Sequence, residues 1–168
     1  MRCPDCKHEN IGGAEICANC GRDLAGLDVR GALLEPGVAF VQEPLANLPK
    51  RPPFKVSVTD PVGLAVSHMQ HDKADCVLVM NGAELAGILT LWDILHKVAG
   101  ADQDLNAVTC GEVMTADPVF LREEDNIAVA VNKMSVGGFR HIPLLEGGSP
   151  VSVISINDVF QRISPHLL

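Results

Sequence analysis

Four of the chain's six cysteines stand as two Cys-x-x-Cys pairs, Cys3/Cys6 and Cys17/Cys20. Each pair can form a tight turn that aims two thiolates the same way, and two facing turns supply the four sulfurs of one tetrahedral, structural zinc ion. Iron in a rubredoxin-like site takes the same ligand set, but it usually sits among aromatic residues, and residues 1–33 hold no Phe, Trp or Tyr. Two disulfides are the other alternative, disfavoured where no secretion signal is present. His8 could replace a ligand in principle, but four cysteines already complete the set. Ile11, Ile16 and Leu24 are too few to build a core, so metal binding would itself supply the folding free energy of this segment.

The second chemistry-bearing pattern is a hydroxyl residue three positions before an aspartate, each time directly after an apolar run: Thr90/Asp93 after 86–89 and Ser155/Asp158 after 151–154. At a strand-to-helix junction these residues would occupy the N-cap and N3 positions. That is a capping box with Asp at N3, and it is also a place where free N–H groups and the helix dipole can hold a phosphate while the carboxylate accepts from sugar hydroxyls. Seen once, the capping role suffices. The repetition is what points further.

An offset of 65 positions carries Asp93 onto Asp158, and it also aligns Pro53 with Pro118, Asp60 with Asp125, Ala65 with Ala130, Met69 with Met134 and Gly82 with Gly147. The chain therefore contains a duplicated unit of first strand, amphipathic helix, two strands joined by a Gly turn, and closing helix. One copy is too small to bury a core alone and needs its twin. Val62, Val66 and Met69 recur at helical spacing, Asn81-Gly82 is a hairpin turn, and Thr90 opens the closing helix. In the second copy the same elements are expected at 118–121, 127–134, 141–145 and from Ser155 toward Ile163. The organisation is thus residues 1–24 as a metal-bound ribbon, 25–52 as a Pro- and Gly-broken linker with a short strand considered at 38–41, 53–100 as the first repeat and 107–168 as the second. Residues 44–52 are expected to lie against the repeats.

Charge and hydropathy exclude several function classes. The net charge of −8 opposes broad attraction to nucleic acid or anionic lipid. Within residues 1–23, three basic residues face four acids, and four thiolates on one zinc ion add about −2, so the ribbon is not expected to grip a phosphate backbone. The longest apolar run, 76–80, is far short of the roughly 20 residues of a membrane span. The opening Met-Arg-Cys-Pro-Asp-Cys lacks an apolar signal region, which favours the cytoplasm. No catalytic residues are expected, and the chain is read as a non-enzyme. The histidines are not spaced to pair with a cysteine nucleophile, Cys76 falls inside an apolar strand, and P-loop, G-x-S-x-G and HExxH motifs are missing.

Residues 1–24 resemble the short zinc ribbons found at the start of many bacterial and archaeal proteins. Glu112-Val113-Met114-Thr115 with Pro118-Val119, then Gly138-Phe139-Arg140-His141-Ile142-Pro143-Leu144, then Ser155-Ile156-Asn157-Asp158, resemble the cystathionine-beta-synthase (CBS) domain pattern, with residues 53–100 as a more diverged copy. The resemblance implies an α/β (α+β) fold of two β-α-β-β-α units packed with pseudo-twofold symmetry, preceded by the ribbon. It implies two clefts between the copies that bind an adenosyl ligand, an adenine nucleotide or S-adenosylmethionine. Ser155 and Asp158, and Thr90 and Asp93, would contact phosphate and ribose. Residues near the first and second strands, Thr115, Pro118, Val119, Ile142 and Pro143, would line the adenine pocket.

The copies are not expected to be equal. Arg140 and His141 can contact a phosphate beside Ser155, whereas Asp75 and Cys76 stand at the matching positions of the first copy, where an acid repels phosphate. Ser152 replaces a glycine that the first copy keeps as Gly87, and a side chain there could crowd the cleft. The expected function is a regulatory, ligand-sensing module whose ribbon contacts an unknown protein partner. The alternative is a ribbon adaptor for protein or nucleic acid, with the repeats as a dimerisation platform. A homodimer through the repeats is expected, with apolar edges on the helices at 62–69 and 127–134. The repeats are expected to stay folded when the metal is removed.

Overall fold

The computed structural model describes residues 2–3, 5–11, 14–24, 41–101 and 103–164. Residues 25–40 of the linker expected at 25–52, and all but Val41 of the strand considered at 38–41, lie outside them. The first repeat comprises β1 (Lys55–Ser57), α1 (Val62–Asp72), β2 (Cys76–Asn81), β3 (Glu84–Thr90) and α2 (Leu91–Asp93), which continues as a π-helical turn, Ile94–Val98. A short helix α3 (Cys110–Val113) and a two-residue strand β4 (Thr115–Ala116) lead into the second, which has α4 (Ile127–Gly137), β5 (His141–Glu146), β6 (Ser149–Ser155) and α5 (Ile156–Ile163). The expected strand at 118–121 shrinks to a single parallel bridge, Leu121 with Leu144, the counterpart of Val56 with Val79 in β1–β2.

Local chemistry explains the boundaries. Pro61, with its fixed φ, precedes α1, and Asn126 caps α4 by accepting from the Val129 N–H at 2.9 Å. Asp60 and Asp125 each accept from the backbone three residues earlier, at Ser57 and Arg122. Both hairpins carry a register shift at the same place, after Val79 and after Leu144, and Gly82 and Gly147 take positive φ at the turns.

The repeats exchange their opening segments. Leu45–Asn47, a 3-10 turn just upstream of the first repeat, is the counterpart of α3, yet Leu45 and Leu48 are buried with Leu121, Ile127, Ile142 and Ile154 of the second repeat. Cys110 and Val113 are buried with Val56, Val62, Val79 and Leu89 of the first. Matching bridges fix the exchange, Pro44 with Asn126 and Pro61 with Thr109. So do matching hydrogen bonds, Ile127 N–H to Glu43 O at 3.0 Å and Val62 N–H to Val108 O at 2.9 Å. The unit thus starts near residue 44, and each core is completed by chain from the other copy.

Gly87 shows why one copy closes more tightly. β4 pairs antiparallel with β3 at Gly87 and Ile88, and a Cβ at Gly87 would collide with Met114 Sδ and stand 2.8 Å from Thr115 O. In the second copy Ser152, buried, donates to Arg51 O at 3.4 Å, and β6 has β5 as its only strand partner among the described residues. Serine therefore props the opening segment off the sheet where glycine lets it zip on. Gly87→Ala should cost about 1–3 kcal/mol, as overpacking against backbone does. Denaturant unfolding with an unchanged slope and a lower midpoint would show this, and an unchanged midpoint would refute it.

Candidate functional site

At the N-terminus the two cysteine turns are built alike. Lys7 N–H donates to Cys3 O and Gly21 N–H to Cys17 O, with Lys7 and Gly21 both at positive φ. Bridges Arg2 with Glu9 and Ile16 with Asp23 close each turn into a small hairpin. The Cys3, Cys6, Cys17 and Cys20 sulfurs all lie within 4.8 Å of one another. Cys3 to Cys20 is 3.7 Å and Cys6 to Cys17 is 3.6 Å. A tetrahedron with metal–sulfur bonds of about 2.3 Å has edges of about 3.8 Å, so the donor set fits one tetrahedral ion. Burial pushes the Cys17 thiol up, but N–H groups of Cys20 and Asn19 and the Asn10 side chain outweigh it and hold it at about 6. At Cys20 the Arg22 backbone favours the thiolate, but burial and the three neighbouring thiols prevail and raise it to about 12. Four sulfurs this close cannot all ionise without a cation.

The ribbon is anchored to the second repeat. Arg22 pairs with Asp5 and, at 2.9 Å, with Asp125. Arg122 Nε lies 2.5 Å from Asp5 Oδ1 without hydrogen-bond alignment, and Lys133 pairs with Asp23. Arg22 and Asp125 are both buried, with side chains 8% and 4% exposed.

Both hydroxyl–aspartate pairs form capping boxes. Ser155 N–H and Oγ–H donate to Asp158 Oδ2 at 2.8 and 2.6 Å, and Asp158 N–H returns to Ser155 Oγ at 3.2 Å. Thr90 and Asp93 repeat this at 3.0, 2.6 and 3.3 Å. The hydroxyl protons are therefore spent on the carboxylates, and each serine or threonine positions an aspartate. What differs is the second carboxylate oxygen. Asp93 Oδ1 receives Lys97 Nζ at 2.8 Å and Thr115 Oγ1 at 3.2 Å. Among the described residues, Asp158 Oδ1 is buried with no hydrogen bond, and the cation paired with it is Arg51, whose Nη2 stands 3.6 Å away, too far for one. A buried, unfilled charged acceptor is costly, which marks it as a place where a donor belongs.

The exchange of opening segments reassigns the expected site residues. Thr115 sits on Asp93, Pro118 lines a cleft of about 350 Å³ with Glu84, Leu85, Asp117 and Phe120, and Val119 is exposed. The segment that accompanies Ser155 and Asp158 instead carries Arg51 and Lys55. Lys55 lines a second cleft of about 580 Å³ with Val56, Met80, Ala83, Ser149 and Pro150. This cleft is basic where its counterpart is acidic. Ile142 and Pro143 are buried in β5, Ile142 within the core cluster. Arg140 is exposed beside the start of α5, where its carbonyl accepts from Ile156 N–H at 2.9 Å. Burial holds the His141 imidazole below its ordinary range, against the pull of Asp75 and Asp158 and with Arg140 adding to it. Asp75 stands at the start of α2, where its carbonyl accepts from Leu91 N–H at 3.0 Å, as that of Arg140 does from Ile156 N–H. Sequence reasoning missed Arg51 and Lys97; the only signal for Lys97 was its i,i+4 spacing from Asp93.

The sequence model of the CBS domain family matches residues 45–100 and 110–165. The chain belongs to that family. Its CBS pair is 31% identical over 102 residues to the CBS domain-containing protein CBSCBSPB1 of Arabidopsis thaliana, covering 60% of this chain and 19% of that protein. The chain thus spans about a fifth of the length of that curated relative. Among solved structures, a signal-transduction protein with CBS domains from Burkholderia ambifaria superposes with a TM-score of 0.66 at 28% identity, covering 71% of this chain and 89% of that one. A CBS domain protein from Pyrobaculum aerophilum, solved in complex with AMP, superposes at 0.64 with 20% identity over 73% and 99% of the two chains; this shows the shared fold. No helix among the described residues is long and apolar enough to cross a membrane.

Proposed function

We propose that the chain is a regulatory sensor in which the cleft beside Asp158 binds one adenosyl ligand bearing phosphate. The observation that carries this is the buried, unfilled Asp158 Oδ1, which suits a ribose diol donating two hydrogen bonds. A sugar at Asp158 and an anion at Arg51 are the contacts this reading assigns, and the adjoining cleft presents Val56, Met80 and Pro150 as apolar surface. The AMP complex of the Pyrobaculum relative supports the choice of an adenine nucleotide. We read the four cysteines as holding one structural zinc ion, and the ribbon, with Ile11 and Ile16 exposed, as the surface for a protein partner. The chain senses rather than transforms its ligand, and we place it in the cytoplasm.

A thermal-shift series with AMP, ADP, ATP and S-adenosylmethionine tests the reading. A ligand at 100 times its Kd adds about 2.7 kcal/mol, and no shift with any of the four would reject it.

A homodimer is also proposed, through a surface other than the expected one. The closing helices expose large apolar residues, Leu91, Trp92 and Leu95 on the first and Ile156 and Phe160 on the second, whereas α1 exposes Leu64 and α4 Val131 and Val136. Leu91 matches Ile156 and Leu95 matches Phe160 under the 65-residue offset, so the two patches are related by the pseudo-twofold. Light scattering should report about twice the 17.9 kDa chain mass, and a monomer at every concentration would contradict this.

A further inference from the structure

We infer that Lys97 is a built-in plug for the first cleft, and that Glu43 keeps the second cleft open by holding away the residue that would plug it. This rests on the reading that Asp158 receives a sugar.

The two aspartates have the same cap and the same kind of residue four positions on, Lys97 after Asp93 and Arg162 after Asp158. On a helix that spacing stacks the cation over the acid. Lys97 takes the offered position. Its ammonium group meets Asp93 Oδ1 at 2.8 Å, Val113 O at 2.7 Å and Met114 O at 3.4 Å, so its donors are directed onto the segment that closes the cleft. Thr115 Oγ1 adds a donor to the same oxygen. A sugar hydroxyl arriving there would have to displace a charge-assisted bond to a buried carboxylate.

Arg162 does not do the same. Its Nε donates to Glu43 Oε2 at 3.1 Å, and its Nη2 pairs with Oε1, a two-point clamp. Glu43 is fixed in turn, since its carbonyl accepts from Ile127 N–H. The residue at the matching place in the first copy is Val108, whose carbonyl accepts from Val62 N–H in the same way. Valine offers no acid to divert Lys97. Glu43, an acid on an exchanged segment, thus holds Arg162 where Val108 leaves Lys97 to its aspartate.

Calorimetric titration of the metal-loaded, full-length protein with AMP tests this. The wild type should bind one AMP per chain, Lys97→Met two, and Glu43→Gln should bind about tenfold more weakly or worse as Arg162 turns onto Asp158. The double variant Glu43→Gln/Arg162→Met should regain wild-type affinity, which simple damage to the segment would not. Two sites in the wild type, or a folded Lys97→Met that still binds one, overturns the inference. If the wild type binds no AMP, the sugar reading fails, and the plug is then judged on the Asp93 carboxyl by carbon-13 NMR. Burial pushes that carboxyl up, but Lys97 and Thr90 outweigh it and hold it below its ordinary range. Titration of Asp93 at ordinary pH in the wild type overturns the plug, and a depressed value supports it even if Lys97→Met does not fold.

Discussion

Removing metal from the reduced protein is expected to unfold residues 2–24 as a unit and to lower the melting temperature of the CBS pair without unfolding it. The ribbon's core is Leu24 with Cys3 and Cys17, edged by Cys6 and Ala14, which cannot hold a fold by itself. Structural zinc contributes about 10–16 kcal/mol in comparable small domains, so little remains when it goes. The CBS pair keeps its two clusters, in which no ribbon residue takes part. It does lose Arg22, which pairs with the buried Asp125. Breaking a buried pair from one side costs about 3–5 kcal/mol; an unfolded ribbon admits water to Asp125 and reduces this. A net loss of about 2 kcal/mol corresponds to a drop of roughly 8 °C for a domain of this size. Calorimetry with and without chelator reads the shift, and Arg22→Ala in metal-loaded protein should reproduce much of it while metal content stays at one equivalent. Superimposable melts for the CBS pair would show that docking contributes nothing. Less than half an equivalent of metal in freshly purified, reduced protein would refute the site itself.

The features legible in the sequence are those written within a short window or repeated at a fixed distance. The Cys-x-x-Cys turns are closed by hydrogen bonds spanning four or five residues, so their spacing carries their geometry. The capping boxes at Thr90 and Ser155 span three residues, and the 65-residue offset exposes the duplication. Exchange of opening segments leaves no such trace, because Leu45 and Cys110 look the same whether they pack on their own copy or its twin. Read along the chain, Thr115 and Pro118 carry no sign of which aspartate they accompany, and Arg51 reads as linker. Lys97 and Arg162 are equally basic and equally spaced from their aspartates. Their different fates depend on Glu43 and Val108, which act only after the exchange has brought them there. Ser152 likewise reads as an intrusion into the cleft until its hydrogen bond to Arg51 O shows that it faces the opening segment. The asymmetry proposed here rests on Lys97 and Arg51, which the expectation built on Asp75 and Arg140 does not include.

Replacing Asp158 by asparagine should abolish nucleotide binding while leaving the fold nearly intact, because the two carboxylate oxygens have separate tasks. Oδ2 takes the Ser155 N–H and hydroxyl, and an amide oxygen can do the same. The amide nitrogen then occupies the position of Oδ1, where it presents donors to a sugar that also donates and to the Arg51 guanidinium. Each charge-assisted hydrogen bond is worth about 1.5–3 kcal/mol, so losing two weakens binding by a hundredfold or more. Asp158→Ala should lose the same affinity and, in addition, about 1 kcal/mol of stability with the cap. The matching change, Asp93→Ala, should reverse the balance. It strands Lys97 and releases Thr115, both of which tie β4 and its neighbours to the first repeat, so stability falls by more than the cap alone while AMP affinity at the Asp158 cleft stays near wild type. Titration calorimetry and thermal unfolding of the three variants separate these outcomes. Wild-type affinity in Asp158→Asn would place the ligand elsewhere, and equal affinity losses at Asp93 and Asp158 would mean that the two clefts work alike despite the plug.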